Sequence, residues 1–142
     1  ETRKVRTTCS YCGVGCQLDL HMKGDQITWV TGTPDGMPNR GRLCVKGRFG
    51  YDFIYSDERL TKPLIRIRKG EKKSPEDTFR EATWDEALGL VASRFKEVIE
   101  EHGPDAVGGV SCARSINEDS YSMQKLFRMV FNTNNIDHCA RV

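Results

Sequence analysis

The sequence predicts a mixed α+β/α/β chain: a small β-rich, metal-binding subdomain over residues 1–60, then the start of an α/β layer over 61–142. Three observations lead there. Three cysteines crowd into Cys9-Ser10-Tyr11-Cys12-Gly13-Val14-Gly15-Cys16 and a fourth stands at Cys44, giving C-x2-C-x3-C-x27-C. Residues 17–22 and 26–30 alternate polar and apolar about Lys23-Gly24-Asp25, as the strands of a β-hairpin do. From Thr83 onward, helical periodicity and short apolar runs take turns, which is the rhythm of an α/β layer.

Composition bounds the rest. At 142 residues and 37% hydrophobic content, the chain suits one domain or a domain with a small subdomain. With 22 basic and 20 acidic residues the formal charge is +2, which directs it neither to nucleic acid nor to a membrane surface. No apolar run is long enough to span a bilayer and no signal peptide is visible. The first residue is Glu1 rather than methionine, which points to processing or to a segment of something longer.

Taken in order, residues 5–8 are a short extended entry to the first thiol. In the hairpin, Leu18 and Leu20 share one side, and Ile27 and Trp29 mark the returning strand. Residues 31–41 carry three glycines and two prolines and read as an irregular loop that returns the chain to Cys44. Residues 47–52 mix glycine with aromatics and are expected beside the metal site. Residues 57–63 form a polar connector, 64–68 a strand, and 69–77 an exposed charged loop. Phe79-Arg80-Glu81-Ala82 leads into a helix that Thr83 and Glu86 cap as a box. Trp84, Leu88, Val91, Phe95, Val98 and Ile99 give that helix one apolar stripe, and Gly103-Pro104 ends it. Residues 106–110 are a short strand and 111–117 the loop at its carboxyl end. A second helix over 118–131 buries Met123, Leu126, Phe127, Val130 and Phe131. Residues 135–142 begin another extended segment. In such sheets ligands sit beyond the carboxyl ends of the strands, where the 111–117 loop and the final residues both fall.

Soft, strongly donating thiolates suit zinc or an iron–sulfur cluster. A zinc ribbon usually offers two C-x2-C pairs. A triplet plus a distant single follows the logic of ferredoxin-type ligation. Cys9, Cys12, Cys16 and Cys44 are therefore read as ligands of a [4Fe-4S] cluster, with zinc or a disulfide framework as alternatives. Cluster chemistry places the chain in a reducing, cytoplasmic compartment. Lys46, two residues past the fourth thiol, is either a surface lysine or a cation held near the cluster, where it stabilises an added electron and can bridge to a neighbouring anionic cofactor. Cys112 and Cys139 have no partner spacing and are read as small buried hydrophobes.

At these residues the sequence resembles the molybdopterin oxidoreductases, and within them the catalytic subunit of formate dehydrogenases. The resemblance rests on the 9–16 motif, on Leu43-Cys44-Val45-Lys46-Gly47-Arg48-Phe49-Gly50, on Trp84-Asp85-Glu86-Ala87-Leu88, and on Asn134-Asn135-Ile136-Asp137-His138-Cys139-Ala140-Arg141-Val142. It runs nearly end to end. It implies that residues 61–142 begin the molybdopterin α/β domain. It implies a molybdenum or tungsten bis(molybdopterin guanine dinucleotide), interconversion of formate and CO2, and electron transfer through the cluster. It also implies electron-transfer, hydrogenase or NAD(P)-reducing subunits as partners. Lys46 matches the family lysine between cluster and pterin. Arg114, Asn117 and Glu118 fall in a loop that lines the pterin region by the same resemblance. An arginine and an amide at a strand's end suit phosphate-bearing ligands, and Asn117 equally fits a helix N-cap.

In formate dehydrogenases the residue after the stretch matching Ala140-Arg141-Val142 is the metal-ligating cysteine or selenocysteine. The chain stops one position short of it, so these residues alone are expected to be inactive. One explanation is a selenocysteine codon read as a stop, in translation or in gene prediction, which predicts TGA after Val142. Alternatives are a nitrate reductase or another molybdopterin oxidoreductase, a stand-alone iron–sulfur electron-transfer module, and a zinc-binding structural module.

Overall fold

The computed structural model describes residues 1–139. It forms two compact units: Glu1–Ser56 together with the segment from Gly108 onward, and Asp57–Val107.

The first unit is built on an antiparallel sheet of β1 (Thr2–Thr8), β2 (Gln17–Lys23) and β3 (Gln26–Gly32), in that order. Rungs from Thr2↔Lys23 to Thr8↔Gln17 pair β1 with β2, so residues 9–16 close the far end of a hairpin. Gly24, at φ +59°, makes the tight turn into β3. A bulge between His21 and Met22 shifts the β2–β3 register, and the Thr28 hydroxyl donates to the His21 carbonyl at 2.9 Å there. Beside it His21 and Trp29 stack across the strands, centroids 4.1 Å apart.

Cys9, Leu18 and Val30 form the buried centre of this unit, with Tyr11, Leu20, Ile27, Leu43 and Tyr51 packed around it. Polar ties close the periphery. The buried Asp19 carboxylate accepts from Thr33 Oγ1 at 3.1 Å and pairs with Lys4 at 3.3 Å and Arg6 at 3.4 Å. Desolvation, the largest influence, pushes its pKa up. The Thr33 hydrogen bond and the two cations outweigh it and hold the carboxyl below its ordinary value. The irregular stretch after β3 is ordered by Asn39, which accepts from Gln17 N–H at 2.9 Å and donates to the Gln17 and Arg42 carbonyls at 2.9 and 2.8 Å.

α1 (Val45–Phe49) follows Cys44, and a 3-10 turn (Asp52–Tyr55) follows α1. The aromatics expected in this stretch fasten it to the sheet: Tyr51 donates to the Thr28 carbonyl at 3.2 Å, Tyr55 accepts from Ile27 N–H at 2.7 Å, and Tyr11 donates to the Gly50 carbonyl.

In the second unit, β4 (Leu64–Ile67) and β5 (Thr78–Glu81) pair antiparallel. β5 is a correction, because residues 79–82 read as an approach to a helix. Asp77 organises the connecting loop by accepting from Lys69 N–H at 3.1 Å and Ser74 N–H at 3.2 Å, and it pairs with Arg66 at 3.2 Å. α2 (Trp84–His102) starts at Thr83, whose hydroxyl accepts from Glu86 N–H at 3.2 Å. The other half of the expected box does not form, since the Glu86 carboxylate turns to Arg80 instead. Trp84, Leu88 and Val91 are exposed, while Phe95, Val98 and Ile99 are half-buried.

Back in the first unit, β6 (Gly109–Ser111) and β7 (Ile136–His138) pair in parallel, as an α/β layer requires. The predicted strand over 106–110 is shorter and later, because Pro104–Ala106 is a 3-10 turn. The crossover is α3 (Asn117–Lys125), which widens into a π-helical turn at Leu126–Val130. Phe127 is buried, and Met123 and Phe131 are half-buried, as expected. Leu126 and Val130, read as buried, are 40% and 68% exposed. The wider turn breaks the i, i+4 relation on which that face was drawn. Phe127 lies against Gly109, where a Cβ would come within 2.5 Å of its ring.

Candidate metal centre

The β1–β2 ladder gathers three of the four thiols. Its last rung is Thr8↔Gln17, and Cys9 N–H donates to the Cys16 carbonyl at 2.8 Å just beyond it. Cys9 is thereby anchored in the core and Cys12 is raised on the eight-residue loop, where Gly15 takes φ +71°. Cys44 arrives from the other side, at the N-cap of α1. Gly47 in α1 brings helix and loop together: a Cβ there would stand 3.3 Å from Cys9 Sγ and 3.5 Å from Leu43 Cδ2.

The four thiols share one electrostatic environment. Burial pushes the Cys16 thiol up first, and the negative charges that Cys9, Cys12 and Cys44 would carry raise it further. Cys44 is shifted the opposite way. The amides of Gly47 and Lys46 face its sulfur and lower its pKa, Gly47 foremost, and the Lys46 charge adds to them. This is an electrostatic bias rather than a full cap, since no side-chain hydrogen bond closes the helix start. Amides pointing at cluster sulfurs are one of the levers by which proteins set a cluster's potential.

Among the described residues, no three His, Cys, Asp or Glu side chains close in tightly enough to share one metal ion. A donor set of four thiols suits a [4Fe-4S] cluster.

Lys46 lies in the first turn of α1 with its side chain exposed. Arg114 and Glu118 are exposed around the start of α3. Asn117 is the first residue of that helix, not its cap; Ile116 holds the cap position and no side chain caps it. Instead Asn117 Nδ2 donates to the Gly13 carbonyl at 2.9 Å. That bond ties the thiol loop to the carboxyl end of β6, and nothing in local sequence signals it across 104 positions.

Cys112 and Cys139 are a second correction. Neither is buried; both are exposed, and their sulfurs are 3.6 Å apart. Each follows directly on one of two strands paired in register, and only that pairing reveals them as partners.

The family described as molybdopterin oxidoreductase Fe4S4 domain matches residues 2–56, and the family described as molybdopterin oxidoreductase matches residues 59–142. The chain belongs to the molybdopterin oxidoreductases. Among curated molybdopterin oxidoreductase relatives, "Probable oxidoreductase YjgC" of Bacillus subtilis (strain 168) is 49% identical over 139 residues. Proteins of Staphylococcus aureus strains MRSA252 and USA300, each named "Putative formate dehydrogenase", are 45% identical over the same length. These matches cover 98% of this chain and 13% of each relative. No helix among the described residues is long and apolar enough to cross a membrane.

Proposed function

We propose that this chain is the cluster-bearing part of a formate dehydrogenase. Cys9, Cys12, Cys16 and Cys44 ligate the [4Fe-4S] cluster. Residues beyond about 60 begin the domain for a molybdenum or tungsten bis(molybdopterin guanine dinucleotide). The observation that carries the reading is the four-thiol constellation, in a chain 45% identical over 139 residues to proteins named "Putative formate dehydrogenase". When bound, the metal–pterin centre supplies two-electron exchange with formate, and the cluster supplies one-electron relay.

The chain's own residues serve that relay in distinct ways. Gly47 and Lys46 turn amides toward Cys44 and stabilise its thiolate. Lys46 adds a positive charge on the same side, which favours the electron-rich state of a cluster held there. Asn117 fixes the Gly13 carbonyl, so the loop between Cys12 and Cys16 keeps its position relative to the β6 end. Arg114, exposed at that end, can receive an anionic ligand where α/β sheets place them; Glu118 stands on the first turn of α3. Cytoplasmic placement and electron-accepting, hydrogenase or NAD(P)-reducing partner subunits complete the proposal.

The test uses the full-length protein that contains this chain, kept anaerobic. Formate should reduce a viologen dye, and Lys46→Ala should slow that reduction while bound metal and pterin stay constant. A protein inert to formate that reoxidises reduced viologen with nitrate would overturn the formate reading and leave the family unchanged.

A further inference from the structure

We propose that Cys112 and Cys139 form a reversible disulfide, a redox modification site whose oxidant is a small-molecule disulfide. β6 and β7 run parallel with Ser111 opposite His138 as their last rung, and Cys112 and Cys139 each follow directly on it. Adjacent strands lie about 4.8 Å apart, and a disulfide tolerates a Cα separation of about 4.4–6.8 Å. The sulfurs are already 3.6 Å apart, so side-chain rotation can close the gap without moving a strand. Both thiols are exposed.

The backbone prepares them for exchange. Arg114 N–H donates to Cys112 Sγ at 3.3 Å and Ala113 N–H to Cys139 Sγ at 3.4 Å. The Cys139 thiol is held below its ordinary pKa by the Ala113 amide first, then by the Cys112 hydrogen bond, with the Arg114 charge assisting. A thiolate is the nucleophile in disulfide exchange. Cys139 thiolate attacks one sulfur of the oxidant RSSR and expels RS⁻, which takes up the proton that Cys139 lost. Cys112 then attacks the Cys139 sulfur of the mixed disulfide, losing its proton to the second leaving thiolate. The two cysteines are oxidised by two electrons and RSSR is reduced to two RSH.

The experiment uses the full-length protein, purified anaerobically, treated with oxidised glutathione, alkylated, and digested with trypsin without reductant. Cleavage after Arg114 and Arg141 places the cysteines on peptides 97–114 and 129–141. The expected product is those peptides joined, two hydrogens lighter than their sum and separated by dithiothreitol. Cys112→Ser should leave glutathione on Cys139, and Cys139→Ser should leave it on Cys112. If either variant does not fold, the wild-type map decides alone. Recovery of both peptides unlinked from folded wild type, as free thiols or as glutathione adducts, would overturn the proposal.

Discussion

Replacing Gly47 with alanine sets two effects of known size against each other. Gly47 lies inside α1, and its φ is not positive. Alanine there is favoured by about 1 kcal/mol of helix propensity. The added Cβ would stand 3.3 Å from Cys9 Sγ, tighter than an ordinary carbon–sulfur contact. Without a cluster, Cys9 can give by a few tenths of an ångström and the propensity gain wins. With iron bound, the sulfur position is fixed, and overpacking costs about 1–3 kcal/mol. The helix gain is common to the loaded and cluster-free forms, so cluster retention falls by the overpacking cost alone, about 1–3 kcal/mol or roughly 5–150-fold. The assay is the rate of iron release to a chelator, followed by the cluster's visible absorbance in the full-length protein. Gly47→Ala should lose iron faster while its cluster-free form unfolds no more easily than wild type. Equal or slower release would refute the placement of Gly47 against a metal-bound Cys9.

Asn117→Ala removes one neutral hydrogen bond to the Gly13 carbonyl, worth about 1 kcal/mol, and should raise the exchange of loop amides 12–16 several-fold by hydrogen-exchange mass spectrometry. Gly32→Ala should damage the first unit severely, because its Cβ would clash with the Gly41 carbonyl oxygen. Backbone cannot yield cheaply, so a loss of about 3 kcal/mol or more is expected, read as lost soluble yield or a lowered thermal midpoint. Asp19 has a folded-state pKa below its ordinary value, so its stabilisation is present above about pH 4 and lost as pH falls through the lower folded value. Asp19→Asn should therefore reduce stability at neutral pH and flatten the acid limb of a stability-versus-pH curve. An unchanged limb would count against the Lys4–Asp19–Arg6 cluster.

The parts legible in the sequence are those fixed by local chemistry. Alternation about Gly24, the Thr83 hydroxyl before Trp84, and Gly103-Pro104 each specify structure within a few residues. The four thiols were legible because no core needs cysteines so close together. What escaped depends on contacts far apart in the chain. Phe79-Arg80-Glu81 is a strand because β4 pairs with it, and no turn separates it from α2 to announce the change. Asn117 satisfies the rule for a helix cap, yet Gly13 claims its amide. Leu126 and Val130 follow a helical period that the π turn abandons. Cys112 and Cys139 look unrelated until the parallel pairing of Ser111 with His138, just before them, brings them together.

The most direct test of the central claim is the iron and sulfide content of the full-length protein beside its Cys12→Ala and Cys44→Ala variants, with EPR of each after anaerobic reduction. A four-thiolate [4Fe-4S] site predicts that each variant loses iron and acid-labile sulfide in equal amounts, together with one reduced-cluster signal. Variants that keep all their iron and that signal, or that lose zinc instead, would contradict it.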